Sequence, residues 1–287
     1  MAVMVEILKA ILFGIVEGVT EWLPVSSTGH LIILNKLVTL GVSDEFYSMF
    51  QVVIQLGAIM AVVLLFWEKI WPFGRRNNRY PLSREGWGAW VKWDIIELWF
   101  HIVVSCLPAA VVGILMDDIL EELFYNYKTV AVMLILFGIA FIVVEDMQKG
   151  QRARITHVHS IDYMCAIVIG LFQLIAAIFP GTSRSGATIV GAMLVGISRS
   201  AAAEYTFYLA IPVMAGASLL KLLKFGMAFT GMEIAVLVVG MATAFAVSLF
   251  VVKFLMSFVK SHDFKVFGWY RIALGMVVLA CGMFGVV

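Results

Sequence analysis

The chain has 287 residues, of which 62% are hydrophobic and only 14% charged, with a net charge of +1 and a mean hydropathy of +1.01. A soluble domain carries about 25% charged residues, so a soluble globular fold is excluded, and no basic run points to a nucleic-acid partner. Alternating ten-residue strands are also missing, which excludes a transmembrane barrel and leaves an all-α polytopic membrane protein, one integral domain over 1–287.

The first apolar region, 7–35, is interrupted by EGVTEWLPVSSTGH at 17–30. Glu17 and Glu21 break it too early for the apolar stretch of a secretory signal, and no small-residue cleavage site follows, so the segment is expected to persist in the mature protein. A full span is predicted at 49–67. The connection 68–93 carries Lys69, Arg75, Arg76, Arg79, Arg84 and Lys92 against Glu68 and Glu85, which places it in the cytoplasm. Trp67, Trp71, Trp87, Trp90, Trp93 and Trp99 surround it as an interfacial belt would. Spans at 97–116 and 129–145 follow. They are separated by an acidic segment, 117–128, with Asp117, Asp118, Glu121 and Glu122, predicted outside. The basic connection 146–160, with Lys149, Arg152 and Arg154, then returns inside.

A second broken apolar region covers 161–197, and spans at 201–222, 233–253 and 266–287 complete the chain. The two broken regions superpose at an offset of 156 residues, with Ala10 on Ala166, Gly14 on Gly170, Pro24 on Pro180 and Ser27 on Ser183. The expected organisation is therefore an internal repeat, 1–145 and 161–287, each half a re-entrant helical hairpin followed by three transmembrane helices. If each hairpin enters and leaves on one face, three crossings invert the second half, giving an inverted-topology repeat whose broken helices meet near the midplane. Lys253, Lys260 and Lys265 at the last connection agree with this; Lys221 and Lys224, predicted outside, run against it.

Irregular polar backbone at membrane depth is tolerated only where it is buried in protein or lines a cavity. The run at 17–30 thus reads as the lining of a site. Glu17 and Glu21 lie four apart, on one helix face about 5–6 Å from each other, and mid-membrane carboxylates cost roughly 2.5–3.5 kcal/mol each. They suit a hard cation, proton handling, or pairing with a cation from the other half. Beyond Pro24, the hydroxyls of Ser26, Ser27 and Thr28 begin a helix whose free N–H groups favour an anion; ordinary capping needs only one of the three. His30 follows as a base or acid within reach of Ser27. At the same offset Gln173 replaces Glu17 and Ala177 replaces Glu21, and within PGTSRSGAT Arg184 replaces Thr28 and Gly186 replaces His30. If the turns meet, Ser183, Arg184, Ser185 and Thr188 face the acids, a set suited to phosphoryl-group chemistry with a divalent cation.

Other polar residues have plainer readings. His157 and His159 are solvated in the basic connection, and Gln51 and Gln55 make interhelical hydrogen bonds. Glu204, after Arg199, serves an ion pair or the helix dipole, and Arg271 snorkels to the interface. Cys106, Cys165 and Cys281 stand alone as small hydrophobes.

The stretches GIVEGVTEWLPVSSTGHLII and PGTSRSGATI resemble the two signatures of the bacterial undecaprenyl-diphosphate phosphatases of the bacitracin-resistance type, and the similarity extends through RSAAAEYTFYLAIPVM and YRI. The resemblance implies a plasma-membrane enzyme that removes the terminal phosphate of undecaprenyl diphosphate, with bacitracin resistance as the phenotype. It implies that Glu17 and Glu21 use a divalent cation, Mg²⁺ or Ca²⁺, and that Ser27, His30 and Arg184 are catalytic. Ser26, Thr28, Ser183, Ser185 and Thr188 are then expected to bind phosphate, and the site is expected to open to the outer face. Two routes stay open: attack by Ser27 after His30 takes its proton, or attack by water activated by His30 or a carboxylate. A homodimer is compatible with the sequence. The competing reading is a phosphate-lipid flippase or transporter, because inverted repeats with broken helices are transporter architecture.

Overall fold

The computed structural model describes residues 2–75, 78–226 and 228–284. Arg76 of the basic connection lies outside them, as do the side chains of Asp117, Asp118 and Glu121. Twelve α-helices run in chain order among the described residues: α1 (Ala2–Thr20), α2 (Ser27–Leu37), α3 (Asp44–Val53), α4 (Gln55–Leu65), α5 (Trp67–Ile70), α6 (Trp93–Phe124), α7 (Tyr127–Gln148), α8 (Tyr163–Ile178), α9 (Arg184–Leu194), α10 (Arg199–Phe225), α11 (Gly231–Phe258) and α12 (Lys265–Met283). Six segments are long and apolar enough to cross a membrane: Asp44–Leu65, Trp93–Met116, Tyr127–Gln148, Arg199–Phe225, Gly231–Phe258 and Lys265–Met283. They match the six predicted spans one for one, and the protein is an all-α polytopic membrane protein.

Two boundaries differ from expectation. The first span begins at Asp44, because Ser43 caps α3 through Phe46 N and the helical path passes Ile54 without leaving helical dihedrals. The acidic segment after Met116 is not a loop; α6 runs on through it to Phe124 before Asn126 caps α7.

Side-chain caps also satisfy free N–H groups at three later starts. Asp162 caps α8, Ser198 caps α10, and Thr230 with Glu233 forms a capping box on α11. Lipid tails are as apolar as leucine, so packing between such helices relies on close approach at small residues. Helix α1 lies on α11, where a Cβ on Gly14 would sit 2.7 Å from the Gly240 carbonyl oxygen. Helix α8 lies on α6, where a Cβ on Gly170 would sit 2.8 Å from the Ser105 carbonyl oxygen. The contact of α7 with α12 is reciprocal: a Cβ on Gly138 would come within 2.7 Å of Gly268 O, and one on Gly268 within 2.7 Å of Gly138 O. Each hairpin is therefore seated on a helix from the other half of the chain.

At 68–93, isolated antiparallel bridges join Phe73 to Val91 and Pro81 to Lys92. Trp67 stacks on Trp71 at 4.6 Å, Arg75 lies over Trp90, and Trp67, Trp71, Trp87, Trp90 and Trp93 are all exposed.

Candidate active site

Pro24 and Pro180 interrupt the two hairpins, and in each case a serine then starts the second helix. Ser26 caps α2 by accepting from Gly29 N, and Ser183 caps α9 by accepting from Gly186 N. Both serines have a left-handed backbone, φ 72° and 67°, and they are the only non-glycine residues that do so among the described residues. Such a conformation costs an L-residue about 1–2 kcal/mol, so both turns hold strain at the same position. The caps also correct the register expected from sequence. Ser26 corresponds to Ser183, an offset of 157, and Ser27 corresponds to Arg184 at the first helical position. The second turn carries one extra residue after its proline, Gly181, with φ 89°.

The carboxylate of Glu21 joins the two turns. Its backbone N–H still bonds to Glu17 O at 3.0 Å, which continues the helical path of α1 and keeps both acids on one face. Arg184 Nη2 donates to Glu21 Oε1 at 3.0 Å, and Ser27 Oγ donates to Glu21 Oε2 at 2.8 Å. Ser185 Oγ donates to the Glu21 carbonyl at 3.0 Å. The Arg184–Glu21 pair is largely buried, with side-chain exposures of 13% and 8%. Breaking such a pair leaves an uncompensated buried charge, so its members depend on each other.

Behind this pair, Thr188 donates to the Arg184 carbonyl and bonds the Thr206 hydroxyl at 2.9 Å, while Arg184 Nη1 donates to Thr206 O. Thr188 and Ser185 thus brace Arg184 and Glu21 from within the protein. Ser183 Oγ bonds Ser185 Oγ at 3.2 Å. Thr28, next to Ser27 at the start of α2, lines a cavity of about 440 Å³ beside the turns that also touches Tyr47, Gln51, Tyr125, Pro180 and Lys221. Gln51 of α3 accepts there from Tyr125 Oη of the α6–α7 connection, where a bond to a second helix was expected.

Glu17 is fully buried, and neither of its carboxylate oxygens has a hydrogen-bond partner. An ionised carboxylate in that position is unstable without a proton or a cation. Gln173, its counterpart in the second hairpin, is also buried but donates to Ser105 O at 3.2 Å.

His30 departs from expectation. Nδ1 lies 2.7 Å from the Ser26 carbonyl and Nε2 lies 2.7 Å from Tyr270 Oη. A carbonyl only accepts, so Nδ1 carries the proton and Nε2 accepts from the tyrosine. No hydrogen bond joins His30 to Ser27; the imidazole secures the carbonyl of the strained cap, and the acceptor for Ser27 is Glu21.

Arg271 overturns the interfacial reading given to it. It is fully buried, donating to Pro24 O at 3.3 Å, Gly181 O at 3.0 Å and Thr182 O at 2.6 Å. One guanidinium therefore clamps carbonyls of both turns. Its sequence signal was an arginine inside an apolar span, the pattern that marks a functional intramembrane charge. Glu204 does form an ion pair, but with Lys69 at 2.8 Å, whereas Arg199 binds Glu145.

A sequence profile described as "Bacitracin resistance protein BacA" matches residues 10–277. An undecaprenyl-diphosphatase of Desulfitobacterium hafniense is 60% identical over 276 residues, 96% of each chain. Undecaprenyl-diphosphatase 1 of Clostridium acetobutylicum is 57% identical over 275 residues, covering 96% of this chain and 97% of its own. An undecaprenyl-diphosphatase of Enterococcus faecalis is 54% identical, again over 96% of both chains.

Proposed function

The chain belongs to the family of the bacitracin resistance protein BacA, and from that premise we propose how its two turns act on a lipid diphosphate. It is a multi-pass membrane hydrolase that converts undecaprenyl diphosphate to undecaprenyl phosphate and inorganic phosphate, a reaction in keeping with bacitracin resistance.

The observation that carries the mechanism is the chain Ser27–Glu21–Arg184. In our reading Ser27 Oγ attacks the terminal phosphorus while its proton passes to Glu21. The bond from that phosphorus to the bridging oxygen breaks, and undecaprenyl phosphate leaves with the proton from Glu21. Water then attacks the phosphoserine, Ser27 regains a proton by way of Glu21, and hydrogen phosphate departs. Arg184, always charged and forked, holds the phosphoryl oxygens, together with the free N–H groups at the starts of α2 and α9. Arg271 and His30 act as positioning residues by fixing the carbonyls of the two turns. The prenyl tail lies along an apolar groove between spans.

Glu17 and Glu21 are the residues that would hold a divalent cation. The fit is supported by an oxygen-only donor set, which suits Mg²⁺ or Ca²⁺, and by the two unpartnered oxygens of Glu17. Among the described residues no three His, Cys, Asp or Glu side chains gather into a metal cluster, so Glu17 and Glu21 are the two acids that would supply carboxylate oxygens to the ion. When bound, the ion supplies charge neutralisation on the phosphate oxygens. Purified protein in detergent should release phosphate from undecaprenyl diphosphate, lose that release in EDTA, and regain it with Mg²⁺ or Ca²⁺. An acid quench should trap phosphate on the Ser27 peptide. Substantial turnover by Ser27→Ala would instead assign the attack to water.

We also read the two halves as an inverted repeat, supported by the exchange of partners in which α1 seats on α11 and α8 on α6. The site is read as opening to the outer face. Support comes from the 440 Å³ cavity, lined by Leu120 and Tyr125 near the α6–α7 connection and Lys221 near the end of α10. With Cys106, Cys165 and Cys281 replaced by serine, Gln51→Cys should react with an impermeant thiol reagent added to intact cells, and Arg152→Cys only after permeabilisation. Labelling of Gln51→Cys solely after permeabilisation would reverse the assignment.

A further inference from the structure

We infer that a second cavity, sharing no residue with the first, binds the phosphate group of an anionic ligand at the cytoplasmic ends of α7, α10 and α11. It encloses about 300 Å³ and is lined by Arg152, Arg199, Lys260, Gly196, Ser198 and Ser200, among others. Three separate segments supply its three cations: the α7–α8 connection, the first residue of α10, and the residue that follows Val259 after α11. No carboxylate lines it.

The nearby acids are already engaged. Glu145, with a side-chain exposure of 1%, accepts Arg199 Nε at 2.8 Å and also Phe264 N at 2.8 Å. Asp146 is taken by Lys265, and Asp162 lies 3.8 Å from Arg154 and caps α8. Asp263 accepts from Lys265 N. Arg199 is thus fixed in place by its buried partner, and Arg152 and Lys260 form no ion pair among the described residues. The local balance is positive with two cations unspent.

The walls are preformed. Arg154 N and Ile155 N donate to Gly196 O, Ser198 N donates to Ile155 O, and Gln148 Nε2 donates to Met193 O. These bonds fix the α7–α8 connection to the α9–α10 turn, so a ligand would not have to order the site. The Ser198 side chain caps Ala201 N, which leaves the amides of Arg199 and Ser200 for an outside acceptor. Two unpaired cations, one fixed guanidinium and two amides match the oxygens of a phosphate group. The place is where three spans emerge among basic connections, the depth at which basic pockets between helices take acidic lipid headgroups. The phosphate is carried either on an acidic phospholipid or as free orthophosphate, and the probes below separate the two.

The test uses full-length protein in detergent, with thermal unfolding read against four probes: short-chain phosphatidylglycerol, short-chain phosphatidic acid, zwitterionic phosphatidylcholine and inorganic phosphate. Acidic probes are expected to raise the unfolding temperature in a saturable way, and phosphatidylcholine is not. Arg152→Gln combined with Lys260→Gln should weaken that response about tenfold or more, while Arg152→Lys with Lys260→Arg should preserve it. The response should persist in Arg184→Ala, which separates this cavity from the catalytic turns. Saturation by lipid alone assigns a headgroup; equal saturation by inorganic phosphate assigns the free ion. The inference fails if no probe gives a saturable shift, if the double glutamine variant keeps the full shift, or if Arg184→Ala abolishes it.

Discussion

Glu21→Gln is expected to lower kcat for phosphate release by about 10³-fold, within the range of about 10²–10⁴ that a positioned general base contributes. The side chain is almost enclosed, and both of its oxygens are committed, one to Ser27 and one to Arg184. An amide of the same shape cannot accept the serine proton, and its NH₂ group meets a donor on at least one side. Arg184 is then left buried beside a neutral group, so the thermal unfolding temperature should fall as well. Glu21→Asp separates the two effects. It keeps the charge while withdrawing the carboxylate by one methylene, and should retain the fold with a smaller loss of kcat. A glutamine variant with more than a tenth of wild-type kcat would remove Glu21 from the proton transfer.

Arg271→Met should cost about 3 kcal/mol of stability or more, because it leaves three buried carbonyls without their donor. The carbonyls of Pro24, Gly181 and Thr182 receive this guanidinium in the interior, and each carbonyl left without a partner costs about 1–3 kcal/mol. Methionine preserves volume and apolar contact, so the loss reports the hydrogen bonds themselves. Activity should fall more than 100-fold, because the same bonds hold Ser27 and Arg184 in mutual register. Arg271→Lys should recover little, since an ammonium lacks the planar fork that spans separate carbonyls. An unfolding temperature equal to wild type in Arg271→Met would mean that the turns hold each other without the clamp.

The six spans were legible because hydrophobic runs near 20 residues have no soluble explanation, and the two turns stood out because Pro, Ser, Glu and Arg are costly there. Composition and spacing also placed Glu21 opposite Arg184. Three features were hidden for physical reasons. The register of the second turn depends on the positive φ of Ser183 and the extra Gly181, which strings of similar letters do not reveal. The partner of His30 is Tyr270, 240 residues away, so the neighbouring Ser27 looked nearer than it is. Arg271 lies early in the last span, within reach of the interface where snorkelling is the usual fate of arginine, and only its three carbonyl partners show it turned inward. The pairing of Arg199 with Glu145 rather than Glu204 has the same origin, since chain proximity is a poor guide once helices cross the bilayer.

The seating of each hairpin on the opposite half has a consequence for biosynthesis. Gly14 of α1 docks on Gly240 of α11, which is made more than two hundred residues later. At ribosomal speeds of about 5–20 residues per second, α1 waits roughly ten to forty seconds for its docking surface. For most of that interval the buried glutamates and the strained Ser26 cap have no Arg184 to meet, and Arg271 follows only after α11 is complete. The catalytic centre is thus among the last parts of the molecule to be completed, and a nascent chain halted before α12 carries Ser27, Glu21 and Arg184 without the Arg271 clamp that holds their two turns together.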